Sequence, residues 1–502
     1  MRKRLFQFSA RESSIRTSGA RPELRGRTSI LRGARLKCYR AACSFALVAL
    51  AVLATSQAAA QTPTPDPARR YPLPTYDENW QFLSDPNRHS DPWDIVKYVQ
   101  LARGMFASFG GEARESYERF GNQDFGLSVP SPNGYLLQRY LLHADIHVGS
   151  RLRLWTEFNS SFENGRVGGP QPVIDEDKLD LHQGFVEFEI IQRPGVAVRV
   201  RGGRQEIEVG SGRMYSLREG PNVPLSFDGV RAIAQTRSLR FDTWGARPVT
   251  TTPGIFDDSS HHEFSVWGAY VTRTGLEHAS VDAYYLGWDR QNASFDKGVA
   301  NELRHTVGAR LWRNGLWAYD FEGMYQFGGF GAGNIRAWRV VAEASRGFAG
   351  RWNPRVRIDF DVASGDRNRS SPNLGTFNSF FQSGEYSGRA QLLGPSNSIR
   401  LEPTLTLAPR RNVSVSTGWG FYWRESEQDG LYGIPGNLIV PSNGVPGHYE
   451  GSRPIVEVAW TLNPHLSVHL NYIFVFNGRF EERSVHATTT ESYICPWITY
   501  RF

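Results

Sequence analysis

The feature that most constrains the fold is an alternation of apolar and polar residues, repeated in segments of 10–14 residues from about residue 104 onward. In the segment 151–163, Leu152, Leu154, Phe158 and Phe162 lie on one side of an extended chain. Charged and polar residues occupy the other side. A period of two is the signature of a β-strand, so the sequence predicts an all-β fold. A soluble sandwich has the same period, so alternation alone leaves sandwich and barrel open.

The connections between the segments distinguish these two classes, because short and long connections alternate along the chain. The short ones include 149–150, 192–195, 313–315, 408–411 and 463–465, and Asn314-Gly315 is a strong two-residue hairpin signal. The long polar ones are 119–134, 165–178, 209–226, 250–262, 290–302, 365–397, 425–451 and 479–490. This asymmetry is typical of a transmembrane antiparallel β-barrel with short periplasmic turns and long extracellular loops.

The segments predict about eighteen strands, an even number that places both ends of the barrel on the periplasmic side. The stretch 384–394 remains open between strand and loop. The predicted strands are 105–118, 136–148, 151–163, 179–191, 195–208, 227–237, 239–248, 264–273, 279–289, 303–312, 316–327, 336–347, 354–364, 398–408, 412–424, 453–462, 466–478 and 491–502.

The sequence "SYICPWITYRF" predicts how the ring closes. Phe502, Tyr500 and Ile498 share one face of an extended chain. An open strand edge cannot lie in lipid, so the last strand is expected to pair with the first. Apolar residues at alternate positions that end in a final Phe also resemble the signal read by the outer-membrane assembly machinery. We therefore predict that these three residues form an assembly signal.

Residues 1–60 are predicted to be a signal peptide that is removed. Residues 1–40 carry twelve Lys and Arg against two Glu, the apolar run 41–55 follows, and Ala58 and Ala60 form a small-residue cleavage site. A retained membrane anchor is the alternative. We further predict a periplasmic N-terminal extension, a lid or plug strand, over 61–103, and the barrel over 104–502.

The leader also explains why the full chain is basic. Its net charge is +7, but without residues 1–60 there remain 45 basic and 48 acidic residues, a net charge of −3. The overall basicity therefore gives no reason to expect a nucleic-acid partner. Cys495 is the one cysteine after the leader, so no internal disulfide is expected. No later apolar stretch reaches the length of about 18 residues that a transmembrane helix needs.

The polar faces of the strands indicate what the barrel conducts. A ring of eighteen strands is too wide for side chains alone to fill, so an aqueous lumen is expected. Arginine pairs with carboxylates through a planar fork, and an arginine-lined path would suit an anionic solute. Acids such as Glu157, Asp359 and Asp361 share these faces, so pairing within the wall is the competing interpretation. The arginines predicted to line the lumen are Arg114, Arg139, Arg151, Arg153, Arg199, Arg201, Arg310, Arg355 and Arg357.

Several longer motifs occur along the chain, namely "DENWQFLSDP" (77–86), "GGRQEIEVGSGR" (202–213), "REGPNVPLSFDGVR" (218–231), "DVASGDRNRSSPNLGTFNSFF" (361–381) and the final "TYRF". Together they resemble the alginate-export family of outer-membrane proteins. The resemblance implies an eighteen-strand barrel with an arginine-rich lumen that passes a polyuronate. It places Arg204 in the family's "GRQ" motif, on the solute path, and Asp366 and Arg367 in its "SGDR" turn.

The connection 365–397 is expected to constrict the pore. Phe377, Phe380 and Phe381 are too apolar for a solvated loop tip, so we predict that this loop folds inward. With Asp366 and Arg367 they form the predicted loop constriction.

We expect a channel in the bacterial outer membrane that passes an anionic solute or polysaccharide such as a polyuronate. A general porin, a structural or adhesive barrel and a barrel enzyme are the alternatives. No G-x-S-x-G motif is present, and we expect no enzyme activity, cofactor or metal. His143, Asp145 and His147 share one strand face and could hold a metal, but lumen-wall polar residues explain them as well. The expected partners are outer-membrane lipids, lipopolysaccharide, the barrel-assembly machinery and the solute, with the protein as a monomer.

Overall fold

A computed structural model describes residues 69–127, 131–170, 174–387, 389–390, 393–485 and 490–502. The predicted signal peptide and the start of the predicted extension lie outside the described residues. Eighteen long antiparallel strands form the barrel. They are β1 Met105–Gly121, β2 Asn133–Val148, β3 Leu152–Asn164, β4 Asp177–Arg193, β5 Val196–Gln205, β6 Phe227–Thr236, β7 Leu239–Thr250, β8 Phe264–Arg273, β9 Ser280–Phe295, β10 Gly298–Arg313, β11 Trp317–Phe330, β12 Gly333–Gly347, β13 Arg355–Ala363, β14 Ser398–Arg410, β15 Val413–Arg424, β16 Tyr449–Thr461, β17 Leu466–Asn477 and β18 Glu491–Arg501.

Each strand pairs with its neighbours in sequence, and the ring closes between the first strand and the last. In that seam Glu112 of β1 lies opposite Arg501 of β18, and Ala113 lies opposite Tyr500. The predicted fold class, an up-and-down transmembrane β-barrel of about eighteen strands, is confirmed. Closure pairs the backbone groups that an open edge would leave exposed to lipid.

The few other elements are short. Among the described residues the α-helices are Asp94–Lys97 and Arg479–Ser484, and the 3₁₀ turns are Thr75–Asp77, Gln81–Ser84, Pro86–Arg88, Asp124–Gly126 and Gly384–Ser387. Short strands occur at Val99–Ala102, Ser259–Ser260, Leu431–Tyr432 and Leu438–Val440. Within the described ranges, no helix is long and apolar enough to cross a membrane. The open stretch 384–394 contributes a 3₁₀ turn and no strand among its described residues.

The connections lie in two sets, which define a short-turn end and a long-loop end of the barrel. The predicted long connection 290–302 is wrong. There β9 and β10 continue to Phe295 and Gly298, which pair directly, so that only Asp296 and Lys297 lie between them. Gln291 and Asn292 fall in a register shift, and residues this near the long-loop end are largely polar. The alternation of apolar and polar residues is therefore lost where a strand extends past the bilayer. Its outer face contacts no lipid there and need not be apolar.

The outward faces of the strands are apolar and exposed, as a lipid-facing barrel requires. Leu142, Val186, Val340, Ile358 and Phe360 are among these exposed residues. The inward faces carry charged and polar residues that are buried instead. This inversion of a soluble protein's pattern indicates that the interior of the barrel is filled by other parts of the chain.

Deleting Phe502 is expected to lower the amount of heat-modifiable barrel in the outer membrane. Its backbone exchanges two hydrogen bonds with Gly111 of β1, at 3.0 and 3.1 Å, and its ring centroid lies 4.3 Å from that of Trp93. Loss of these contacts weakens the seam that closes the ring. The measurement is band intensity in unheated and heated gels of outer membranes, with Phe502→Tyr as the control that keeps a ring. Normal barrel levels in the deletion strain would contradict the prediction.

Candidate functional site: the lumen of the barrel

The wall of the lumen is largely neutralised by ion pairs between neighbouring strands. Arg139 of β2 lies 2.5 Å from Glu112 of β1, and Arg201 of β5 lies 2.7 Å from Glu187 of β4. Both partners in each pair are buried. A guanidinium whose charge is balanced by a neighbouring carboxylate attracts a passing anion only weakly, although it keeps free N–H donors. Similar pairs are Arg310 with Asp320, Arg339 with Asp361, and Arg400 with Asp359.

The other arginines predicted on the solute path also have partners or lie near an end of the barrel. Arg204, which the resemblance placed on the path, pairs with Asp228 near the long-loop end. Arg151 is exposed beside a short turn, and Arg199 lies 3.8 Å from Glu187. Arg355 donates hydrogen bonds to Ser345 Oγ and to the Gly315 carbonyl. Arg357 interacts electrostatically with Glu343. The wall is therefore a stiff, mixed-charge surface rather than an open row of cations.

An N-terminal segment (69–98) enters the lumen from the short-turn end. The ring of Tyr76 is buried beside Trp155 and Phe185, and the Arg201 guanidinium lies 4.3 Å from its centroid. The Tyr76 carbonyl accepts a hydrogen bond of 2.6 Å from Arg153. Arg201 thus stacks on the buried ring of Tyr76, and Arg153 holds the backbone of the same residue.

A series of buried ionisable side chains connects the same segment to the wall of the lumen. Lys97 lies 2.9 Å from Glu78, and Glu78 lies 3.7 Å from His143 of β2. His143 in turn lies 3.5 Å from Glu157 of β3, whose carboxylate also accepts a hydrogen bond from Thr75. Burial lowers the pKa of Lys97, and the carboxylate of Glu78 opposes this shift. The segment is therefore held by charge pairs as well as by aromatic packing.

The three polar residues that share one face of β2 do not converge on one point. Asp145 pairs with Arg153 at 2.7 Å and with His147 at 3.0 Å. His143 instead lies between Glu78 and Glu157. Such contacts are typical of polar residues that stabilise the lumen wall and hold the N-terminal segment, which is the alternative to a metal site on this strand face.

The connection between β5 and β6, residues 206–226, crosses the lumen. At one side Arg213 lies 3.0 Å from Glu322 of β11. At the other, Glu219 lies 2.8 Å from Arg139, and its carbonyl accepts a hydrogen bond from Arg114 of β1. The sequence prediction treats this stretch as an ordinary polar loop. Its buried Met214, Tyr215, Leu217 and Val223 are the signal that could have shown an inward path.

The described residues of the connection between β13 and β14 (364–387, 389–390 and 393–397) fold inward and pack on that crossing loop. Phe377 and Phe381 are 0% and 1% exposed. The Phe381 ring lies 5.0 Å from Tyr215 and 5.1 Å from Phe227, and Phe380 lies 4.8 Å from Phe264. The Phe381 carbonyl also accepts a hydrogen bond of 3.1 Å from the Ser216 amide. The two loops therefore form one aromatic layer across the outer part of the lumen.

Asp366 and Arg367, the first residues of the predicted constriction, lie at the rim of the aromatic layer. The Asp366 carboxylate forms an ion pair with Lys297 at 2.7 Å, and the Asp366 backbone amide donates a hydrogen bond to the Asp429 carboxylate. Arg367 pairs with Glu425 and has a side chain that is 71% exposed. The acid therefore fixes the turn, while the arginine lies in solvent away from the aromatic layer.

A cavity of about 270 Å³ lies between β1, β2 and the inward loops, and three arginines line it. Arg166 pairs with Asp175, which also lines the cavity. Arg218 has no ion pair or side-chain hydrogen bond among the described side chains, and burial lowers its pKa. Its backbone is left-handed, with φ of +54°. A non-glycine residue in this region is sparse in proteins and often marks a functional site.

The third arginine, Arg389, is held mainly by weak contacts. Its Nε donates to Cys495 Sγ at 3.3 Å, and its guanidinium lies 4.1 Å from the centroid of the Trp497 ring. Its buried Nη2 has no hydrogen-bond partner among the described residues. Glu118 also lines this cavity, so the pocket offers acceptors for hydroxyl groups as well as donors for an anion.

Comparison with known proteins identifies the family. The sequence profile of the family described as Alginate export matches residues 105–494, from the start of β1 into β18. A search of curated protein sequences finds no match.

Three solved structures from Pseudomonas aeruginosa have a similar fold. OpdK with vanillate has a TM-score of 0.54 at 11% identity, covering 81% of this chain and 99% of its own. OccK2 (OpdF) in complex with glucuronate has a TM-score of 0.52 at 12% identity, covering 81% and 99%. OccD3 (OpdP) has a TM-score of 0.53 at 12% identity, covering 88% and 99%. At these identities the likeness establishes the fold alone.

Proposed function

Because this chain belongs to the alginate-export family of outer-membrane β-barrels, we propose that it is a channel for small carboxylate-bearing solutes, such as single uronate units. The lumen conducts solute rather than catalysing a reaction. The observation that carries this proposal is the cavity in which Arg218 has no ion-pair partner among the described side chains. Arg218 is half-buried, and a partly desolvated cation that pairs with no carboxylate binds an anion in preference to a neutral solute, since the anion balances its charge.

The chemistry of the cavity supports a carboxylate as the anion. A guanidinium presents a planar fork of donors that matches the two oxygens of a carboxylate. Vanillate and glucuronate, the compounds in the structures of OpdK and OccK2, are both carboxylates. The volume of about 270 Å³ is just below the roughly 300 Å³ at which ordinary ligand pockets begin, so it suits one small solute.

The first test is ion selectivity and block in planar bilayers. We expect the wild-type channel to prefer anions under a KCl gradient, and glucuronate to block its current. Arg218→Gln should raise the half-blocking concentration of glucuronate about 10- to 100-fold, because a hydrogen bond to a charged group is worth about 1.5–3 kcal/mol. The double variant Arg153→Glu with Arg201→Glu is less informative, since both arginines hold Tyr76.

Arg346→Gln is the matched control, because Arg346 is exposed and stacks on Trp317 near the short-turn end. It removes the same charge and should leave block unchanged. Cation selectivity in the wild type, or equal block in Arg218→Gln and Arg346→Gln, would contradict the proposal. Conductance without any glucuronate block would favour a general porin, and complete absence of conductance a structural barrel.

We also propose the remaining features of its biogenesis and surroundings. The basic and apolar character of residues 1–60 supports export with cleavage after Ala60. The pairing of β18 with β1 supports insertion by the barrel-assembly machinery through the signal at Ile498, Tyr500 and Phe502. The exposed apolar outer faces support contact with membrane lipids and lipopolysaccharide, and the single-chain ring supports a monomer.

A further inference from the structure

The start of β4 and the loop 251–263 are joined at the long-loop end of the barrel. The Phe256 amide donates to the Leu179 carbonyl at 2.9 Å. The next two amides, of Asp257 and Asp258, both donate to Asp180 Oδ2, at 2.8 and 3.1 Å. One aspartate of the strand thus positions the backbone of the loop.

This junction gathers three carboxylates. One oxygen from each of Asp177, Asp180 and Asp258 lies within 4.8 Å of the others. The nearest described cation is Arg204, 3.8 Å from Asp180, and Arg204 already holds Asp228 with two hydrogen bonds. The group therefore carries surplus negative charge, which partial burial makes more unfavourable.

One of the three side chains is also buried without a full set of partners. Asp177 is 1% exposed. Its Oδ2 accepts a hydrogen bond from Asn159 at 2.9 Å, but its Oδ1 has no partner among the described residues. A buried carboxylate oxygen is costly unless a donor or a cation satisfies it. This unsatisfied oxygen, in a group of like charges, indicates a missing positive ligand.

We infer that Asp177, Asp180 and Asp258 bind one Ca²⁺ ion, which fastens the loop 251–263 to β4. All the ligand atoms are carboxylate oxygens, which suit a hard cation rather than a transition metal. Calcium tolerates irregular geometry and fills its coordination with water and carbonyl oxygens, whereas magnesium demands a near-ideal octahedron. This site is separate from the solute cavity, and its existence does not depend on the proposed function.

Calcium binding can be measured on the full chain in detergent, after treatment with EDTA and removal of lipopolysaccharide. Titration calorimetry with CaCl₂ should show one ion bound with a dissociation constant on the order of 10⁻⁴ to 10⁻³ M, the range of extracellular calcium modules. The double variant Asp177→Asn with Asp258→Asn should bind at least ten times more weakly. Asp257→Asn, which removes an exposed carboxylate from the same loop, is the matched control and should change the affinity little.

Limited proteolysis gives a second readout. Phe256 is 60% exposed, so chymotrypsin can cleave after it. Calcium should slow this cleavage in the wild type and in Asp257→Asn, and should have no effect in the double variant. Asparagine keeps the shape of aspartate and relieves the repulsion, so the double variant is expected to remain heat-modifiable. No calcium uptake by the wild type at about 10 mM, above the weakest extracellular sites, or equal calcium protection in all three proteins, would overturn the inference.

Discussion

Removing residues 69–98 is expected to raise the single-channel conductance several-fold. This N-terminal segment fills the short-turn end of the lumen, where Tyr76 is buried between Trp155, Phe185 and the Arg201 guanidinium. An eighteen-strand ring without such a plug encloses a wide aqueous channel. The measurement is single-channel current in planar bilayers at one KCl concentration, compared with the intact chain.

The segment also packs against the seam of the barrel, so its deletion should be accompanied by point variants. Tyr76→Ala should raise conductance by a smaller factor, because it removes the ring on which Arg201 stacks but keeps the backbone carbonyl that accepts a hydrogen bond from Arg153. Gln81→Ala alters an exposed residue of the same segment and should have no effect. Unchanged conductance in both the deletion and Tyr76→Ala would contradict a plugging role for this segment.

Shortening the inward loop by replacing residues 376–387 with a short Gly-Ser linker is expected to open the long-loop end. This stretch carries Phe377, Phe380 and Phe381, and its loss removes half of the aromatic layer across the lumen. Conductance should rise, and glucuronate block should weaken because the crossing loop that carries Arg218 loses its support. The hydrogen bonds between Ser216 and Phe381 that join the two loops would be absent.

A single substitution removes packing contacts of the inward loop without shortening the loop. Phe381→Ala should destabilise the loop pair by about 3–5 kcal/mol, the usual cost of truncating a buried aromatic ring. We expect it to give frequent current steps between two levels, as the loop leaves the lumen and returns. Arg367→Ala, in the exposed part of the same loop, should behave like the wild type. Equal or lower conductance in the shortened loop would argue against a constriction there.

The barrel follows from the local pattern of the amino-acid sequence. Side chains alternate with period two in every strand, and this local pattern placed all eighteen strands near their observed positions, with β8 predicted at its observed bounds. The need to close an edge in lipid required the pairing of β18 with β1. The local pattern missed most where β9 and β10 extend past the bilayer, because no lipid there selects apolar outer faces, and it also ended β11, β12 and β16 three or four residues short on the same side.

The sequence predicts a plug near the N-terminus and an inward loop at 365–397, but the ion pairs of the wall and the inward path of residues 206–226 emerge only in the folded chain. Whether an arginine such as Arg139 is free or paired depends on the register of the neighbouring strand, which brings Glu112 beside it, and period two does not specify that. The path of residues 206–226 depends on partners more than a hundred residues away, such as Glu322 for Arg213. Ion pairs and loop packing are long-range, whereas strand periodicity is local. Strand periodicity therefore specifies the wall of the channel, whereas long-range packing sets which of its cations are available to a solute.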